Sequence, residues 1–286
     1  MRIILLGVDK LDDPREIAGA DLDVVTPRPE IDMYGWRGRI GLLVPSINTT
    51  METEFWRIAP QGVSVHSARI SSGRHGTPEE LRSMENASKA AARDVAMVEP
   101  DVVAYGCTSG SFFEGPEWNR KISEQLSEIT GAPAVTTAGA MAACLIGGGY
   151  KKVDVVTPYV EVTNERLKQF LKAHGVEVVT LGTFDMLDMF DHAKIEPGEI
   201  YRKVREITTP KAEAVFVACT QLRALEVLDR LERDLGKPVY SAVQASAWQA
   251  YQAMGVDPGI ADCGSLLRNL SEPGVTEARG KDRKPA

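Results

Sequence analysis

Two cysteines stand where thiol chemistry could happen. Cys107 closes the run Asp101-Val102-Val103-Ala104-Tyr105-Gly106-Cys107-Thr108-Ser109-Gly110. Cys219 closes Glu213-Ala214-Val215-Phe216-Val217-Ala218-Cys219-Thr220-Gln221-Leu222. Each is a short apolar segment, β-branched and aromatic, that stops on Cys-Thr. Such a segment, bounded by small polar residues, reads as a fully buried strand of a parallel sheet. The carboxyl end of that kind of strand is where open α/β sheets place their ligands. A lone Cys there is more often inert packing, because free Cys is commonly buried. Two in matching frames, each followed by Thr, point to a paired site.

A thiol at a strand end, just before a helix or turn begins, lies beside unpaired backbone N–H groups and a positive dipole end. That setting is expected to lower its pKa and make thiolate accessible near neutrality. The same N–H groups, with the hydroxyls of Thr108, Ser109 and Thr220, can hold a carboxylate. Two facing thiols could act as base and acid on opposite faces of one carbon, inverting a stereocentre. Alternatively, one could add to a double bond while the other donates the proton. Neither route asks for a cofactor, and none is expected. Cys144, within a helix, and Cys263 lack this context and are read as structural. Arg223, one turn beyond Cys219, could reach a carboxylate, though a surface charge is the commoner outcome. His75 reads as a loop residue, Trp248 and Tyr251 as core.

The elements that must position the pair alternate regularly from Arg39 onward. A strand over 40–44 ends in Pro45-Ser46-Ile47-Asn48-Thr49-Thr50, with a helix starting within 50–58. The next strand covers 63–68. Thr77-Pro78-Glu79-Glu80 is a capping box with Pro at the first helical position, opening a helix to about Val98. After the Cys107 strand, a helix from about Glu117 closes at Gly131; a strand over 133–136 and a short helix over 138–146 follow, the latter stopped by Gly147-Gly148-Gly149. The same grammar then restarts: a strand over 153–156 ending in Thr157-Pro158-Tyr159, a helix capped by Thr163 or Asn164 and running to Ala173, and a strand over 176–181. A helix over 197–207 leads to the Cys219 strand. From Thr220 a helix is expected through Leu235, and the last helix covers 244–254. Pro45 and Pro158 are 113 residues apart, Cys107 and Cys219 112, and Pro133 and Pro238 105. This is one duplicated α/β half, with parallel strands and helices on both faces. The strand-end loops of the two halves can then face each other across a cleft, with Cys107 and Cys219 on opposite sides of one small ligand. The expected division is an N-terminal extension over 1–38, a first half over 39–136 plus 243–270, a second half over 137–242, and a frayed polar tail over 271–286. Within the extension, strands are read at 3–6 and 23–25.

Bulk properties remove several function classes. A net charge of −7 leaves no basic stripe for nucleic acid. No apolar run approaches the ~20 residues of a membrane span, and the apolar start is too short for a signal segment, so the cytoplasm is the expected compartment. The four cysteines have no CxxC spacing and the four histidines, His66, His75, His174 and His192, no ligand spacing. Neither a metal site nor a disulfide framework is expected.

Gly41-Leu42-Leu43-Val44-Pro45-Ser46-Ile47-Asn48-Thr49-Thr50-Met51-Glu52 resembles the N-terminal motif of the maleate cis–trans isomerases. Together with Gly106-Cys107-Thr108-Ser109, Thr157-Pro158-Tyr159 and Cys219-Thr220, it marks the chain as similar to the aspartate/glutamate racemase superfamily over roughly 39–268. The resemblance implies a cofactor-independent isomerase or racemase of a small carboxylate. Cys107 would be the nucleophile that adds to the alkene, and Cys219 the opposing acid/base. Asn48, Tyr159 and the Thr108/Ser109 loop would bind carboxylates, Pro45 and Ser46 would shape the pocket, and Thr220 and Gln221 complete the candidate set. It also implies a pseudo-twofold between the two halves with the active site in the cleft between them, a homodimer or homotetramer, and a late helix that packs back on the first half. The maleate isomerases carry a further substrate-binding Asn after the strand corresponding to 176–181. Here that position falls in 184–190, with Met189 in the best alignment, and Met cannot donate an amide hydrogen bond. The Cys-Thr-x-Leu-Arg pattern at Cys219 also resembles an ectoine-utilisation branch, which implies, as the alternative, a racemase or epimerase of an amino-acid derivative. The related arylmalonate decarboxylases keep only the second Cys, so two here argue against decarboxylation. A non-catalytic small-ligand binding protein on the same scaffold is the remaining class.

Overall fold

The computed structural model describes residues 34–268. The strands expected at 3–6 and 23–25 and the tail from 271 lie outside them. Within the described residues, eight strands form two parallel sheets. The first holds β1 (Gly38–Pro45), β2 (Val63–Ile70), β3 (Val102–Tyr105) and β4 (Ala134–Thr136) in the order β2-β1-β3-β4. The second holds β5 (Lys152–Thr157), β6 (Glu177–Thr183), β7 (Ala214–Val217) and β8 (Val239–Ser241) in the order β6-β5-β7-β8. The two orders are the same permutation, four strands apart. The anchors of the repeat fall at equivalent places. Pro45 ends β1 and Pro158 follows β5, Pro133 and Pro238 each precede a fourth strand, and each cysteine stands two residues beyond its strand. Every residue of β3 and β7 is buried. Each of these strands pairs on both edges and is covered on both faces, which explains apolar runs without alternation.

The helices are α1 (Met51–Arg57), α2 (Pro78–Ala96), α3 (Thr108–Phe112), α4 (Pro116–Thr130), α5 (Thr137–Gly147), α6 (Glu161–Ala173), α7 (Pro197–Ile207), α8 (Leu225–Leu235) and α9 (Ala242–Met254). The expected capping box opens α2: Glu80 N–H donates to Thr77 Oγ1 and Thr77 N–H to Glu80 Oε2, both at 3.2 Å. That helix buries Leu81, Met84, Ala91 and Val95. Gly131 and Gly236 end α4 and α8 at φ of +70° and +64°, the left-handed caps that only glycine adopts without strain. Helices α5 and α9 each follow the fourth strand of a half and pack on one another, with Ser246 Oγ 3.2 Å from Thr137 Oγ1. Both are alanine-rich and covered nearly all round, as a helix between two sheets must be. Helix α9 also packs on β3, and the Tyr251 hydroxyl donates to the Ile58 carbonyl at 2.6 Å, tying the last helix to the end of α1.

Three local expectations change. Helix α3 forms the Thr108/Ser109 loop, a segment for which the sequence assigns no helix, because Thr-Ser-Gly-Ser-Phe has no helical periodicity and forms its single turn by burial and capping. Helix α8 begins at Leu225 rather than Thr220, since residues 220–224 make a turn bound to the first half. Helix α6 starts after Val160, which places Thr163 and Asn164 inside it. The Asn164 side chain instead accepts from Thr157 Oγ1 at 2.6 Å and donates to the Tyr159 carbonyl at 2.8 Å, fixing the loop after β5. No helix among the described residues is long and apolar enough to cross a membrane.

Candidate active site

Both sheets reverse their winding between the two inner strands, β1/β3 and β5/β7, the switch point where α/β sheets open a crevice. The loops leaving those four strands meet around one pocket, and both Cys107 and Cys219 line it. Pro45, Asn48, Thr108, Ser109, Tyr159, Thr220 and Gln221 line it as well. Ser46 does not: it is exposed, and its hydroxyl donates to the Ile70 carbonyl at 2.8 Å, so it pins its loop to the end of β2. Arg223 lies in a neighbouring pocket beside Glu54, not with the cysteines.

Cys107 caps α3 with its sulfur: the Gly110 N–H donates to Sγ at 3.3 Å, and Ser109 Oγ lies at 3.9 Å. Position 110 must be glycine for this approach, because a Cβ there would stand 2.9 Å from both Sγ and the Tyr105 hydroxyl. Cys219 is held differently. Its φ of +150° lies where L-residues rarely go, a strain that persists only when the surroundings over-determine it. A clasp to the first half supplies that constraint. Thr220 Oγ1 donates to the Gly106 carbonyl at 3.0 Å and accepts from Asn48 Nδ2 at 3.0 Å. Gln221 Nε2 donates to the Ile47 carbonyl at 2.9 Å while its Oε1 accepts from Thr49 N–H at 2.9 Å. Thr50 Oγ1 donates to the Gln221 carbonyl at 3.0 Å. Asn48 Oδ1 accepts from the Thr50 and Met51 N–H groups at 3.0 and 2.9 Å, starting α1. Asn48, Thr220 and Gln221 thus border the pocket while most of their hydrogen bonding joins the halves. By contrast, Thr108 Oγ1 is buried in the pocket wall with no partner.

The thiols are not the low-pKa pair that the strand-end setting suggests. Burial pushes Cys107 up, only partly offset by the Gly110 N–H and Ser109. Burial pushes Cys219 up to about 11, against the Gln221 N–H and the Tyr159 hydroxyl, which favour its thiolate. Desolvation outweighs the amide dipoles, so both sulfurs rest protonated.

Three pocket residues carry no sequence signal of their own: His192, Met84 and Ile47. His192 sits on a 3-10 turn, Asp191–Lys194, between β6 and α7. Its Nδ1 lies 3.8 Å from Cys219 Sγ and its Nε2 3.1 Å from the Met186 carbonyl. The Tyr159 ring meets His192 edge-on at 6.0 Å. Burial lowers the His192 pKa from its ordinary value. Met189 also lines the pocket. Its N–H donates to the Arg74 carbonyl at 2.7 Å, and the Arg74 guanidinium pairs with Asp188 at 2.7 Å, closing the two mouth segments on each other. Among the described residues, no cluster of His, Cys, Asp and Glu is arranged to hold a metal ion.

The family model for arylmalonate decarboxylase matches residues 40–267. A maleate isomerase of Alcaligenes faecalis is 29% identical over 246 residues, spanning 81% of this chain and 97% of that protein. The structure of maleate isomerase Iso from Pseudomonas putida S16, in a cysteine-to-alanine variant with maleate, superposes with a TM-score of 0.78 at 28% identity, covering 82% of this chain and 99% of that one. A cysteine-to-serine variant of Nocardia farcinica maleate cis-trans isomerase, with a covalently bound succinylcysteine intermediate, gives 0.76 at 26% identity over 81% and 98%.

Proposed function

The chain belongs to the arylmalonate decarboxylase family and is a cysteine-based isomerase, and we propose that Cys107 and Cys219 carry its reaction, without a cofactor, on a small carboxylate held between the two halves. The observation that carries this reading is the pair of thiols at equivalent strand ends of a duplicated fold, both lining one pocket. Cys107 as thiolate adds to one carbon of the alkene. The π electrons move to the neighbouring carbon, which takes the proton of Cys219. The bond between those carbons is now single and rotates. Cys219 then removes a proton from that carbon, the double bond re-forms, and the carbon–sulfur bond breaks to return the Cys107 thiolate. The succinylcysteine seen in the Nocardia farcinica enzyme is the kind of adduct this route requires.

The unpartnered Thr108 hydroxyl, Ser109, Tyr159 and the remaining amide hydrogen of Asn48 would hold carboxylate oxygens. Neither Lys nor Arg lines this pocket, so neutral donors carry the anion. Pro45, Thr220 and Gln221 would shape the wall, and Ser46 would hold their loop. Four buried, unpaired thiols suit the cytoplasm, and a homodimer or homotetramer is the assembly we expect.

Maleate turnover, followed by proton NMR, tests the reading. Cys107→Ser reduces it to background without an adduct. Cys219→Ser lowers kcat/KM by ~10²–10⁴-fold, and intact-protein mass spectrometry then finds one substrate on Cys107. Retained activity in both variants would overturn the two-thiol mechanism.

A further inference from the structure

Both thiols rest protonated, yet the proposed reaction begins with a thiolate, so some group must take a proton. Among the residues that line the pocket, His192 carries the only basic side chain. Its surroundings also decide which nitrogen can act. The Met186 carbonyl, 3.1 Å from Nε2, can only accept a hydrogen bond, so Nε2 carries the ring hydrogen. In the neutral ring Nδ1 then offers a lone pair, and Nδ1 is the atom 3.8 Å from Cys219 Sγ. The residue is 1% exposed, so bulk water does not compete for that position. We propose that His192 is the proton partner of Cys219, a positioning residue that sets the charge state of the thiol pair.

The step is a single proton transfer. The Cys219 S–H bond breaks, its electrons stay on sulfur, and a new N–H bond forms at Nδ1, while Nε2 keeps its hydrogen on the Met186 carbonyl. No proton leaves the pocket and its net charge is unchanged. A lone thiolate here would be a buried, unpaired charge, whereas the transfer leaves an ion pair beside the Gln221 N–H and the Tyr159 hydroxyl. The resulting Cys219 thiolate can take a proton from the opposing thiol, priming Cys107, or from a substrate carbon. The charged and titratable groups facing the pair are Asp188 and Asp191 on the His192 loop, Tyr159 after β5 and Cys107 after β3. Both aspartates favour the imidazolium, and Arg74 neutralises Asp188 in part.

This inference rests on the two-thiol reading, but it can be tested without substrate. In a Cys107→Ser background, the rate of Cys219 alkylation by iodoacetamide is followed by peptide mass spectrometry from pH 5 to 10, with His192 intact or with His192→Gln. Gln keeps a donor for the Met186 carbonyl and cannot take the proton. With His192 intact, the alkylation profile should inflect at a lower pH than without it. In the His192→Gln variant the inflection should move up, and the neutral rate should fall about tenfold for each pH unit it moves, because only the thiolate reacts. Superimposable profiles would overturn the proposal. If the Gln variant does not fold, ¹⁵N-histidine NMR of the full chain gives the same information. The His192 ring should shift its titration between wild type and Cys219→Ser, and an unchanged titration would overturn it. Loss of maleate turnover with an intact thiol–imidazole coupling would instead count against the proposed substrate.

Discussion

Met189 governs what one end of a substrate meets. Its backbone N–H is spent on Arg74, so the thioether side chain is the part left to the pocket, where Met84 also lies. Methionine is soft and adaptable but offers no donor, and a carboxylate set against it would give up water without compensation. Met189→Asn should therefore lower the KM for maleate by about tenfold, the worth of one hydrogen bond to a charged group. Steady-state kinetics on maleate measure this; an unchanged or higher KM would show that no carboxylate faces that wall. The two residues differ in how legible they were. The Met189 position could be reached from motif resemblance, whereas His192 could not, because a single His in a loop acquires meaning only from the sulfur that folding sets beside it.

At the scale of elements, α1 and α8 meet through a buried acid. Glu54 is 6% exposed, one of its oxygens accepts the Leu225 N–H at the start of α8, and Oε2 has no partner. Burial pushes its carboxyl from 4.5 up to about 8. The unfolded chain ionises Glu54 near 4.5, while the folded chain holds the proton until about 8. Folding stability from this group is therefore complete at low pH, falls as pH rises through that window, and levels off above it. His192 has the opposite sign: its depressed pKa costs stability as pH falls below the ordinary imidazole value of ~6.5. Glu54→Gln keeps an acceptor for Leu225 and removes the ionisation. Urea unfolding across pH 4.5–8 should show the wild-type decline flattened in the variant, a difference on the order of 3 kcal/mol by pH 7. Parallel curves would mean that Glu54 ionises freely. Helix starts at this scale were only partly legible. Thr77 announced α2 through local capping chemistry, while the late start of α8 depends on hydrogen bonds to residues 47–50, far away in the chain.

At the scale of the molecule, the halves are joined by the clasp at 220–221 and by α5 against α9, while Tyr251 on Ile58 ties the last helix to the first half. With the site built from both halves, neither buries its own face alone. Calorimetry should therefore record one cooperative unfolding transition for residues 34–268, and two resolved transitions would show the halves to be separable. The sequence alone determined the duplicated parallel-strand plan and the equivalent places of Cys107 and Cys219. Buried parallel strands require continuous apolar runs, and their ends require small polar residues, so both signals are local. Only the tertiary structure decided that the thiols rest protonated, that Thr220 and Gln221 spend their side-chain bonds on the first half, and that His192 faces Cys219. Those properties follow from burial and from ångström-scale distances between segments 27 to 174 residues apart, which no local pattern encodes.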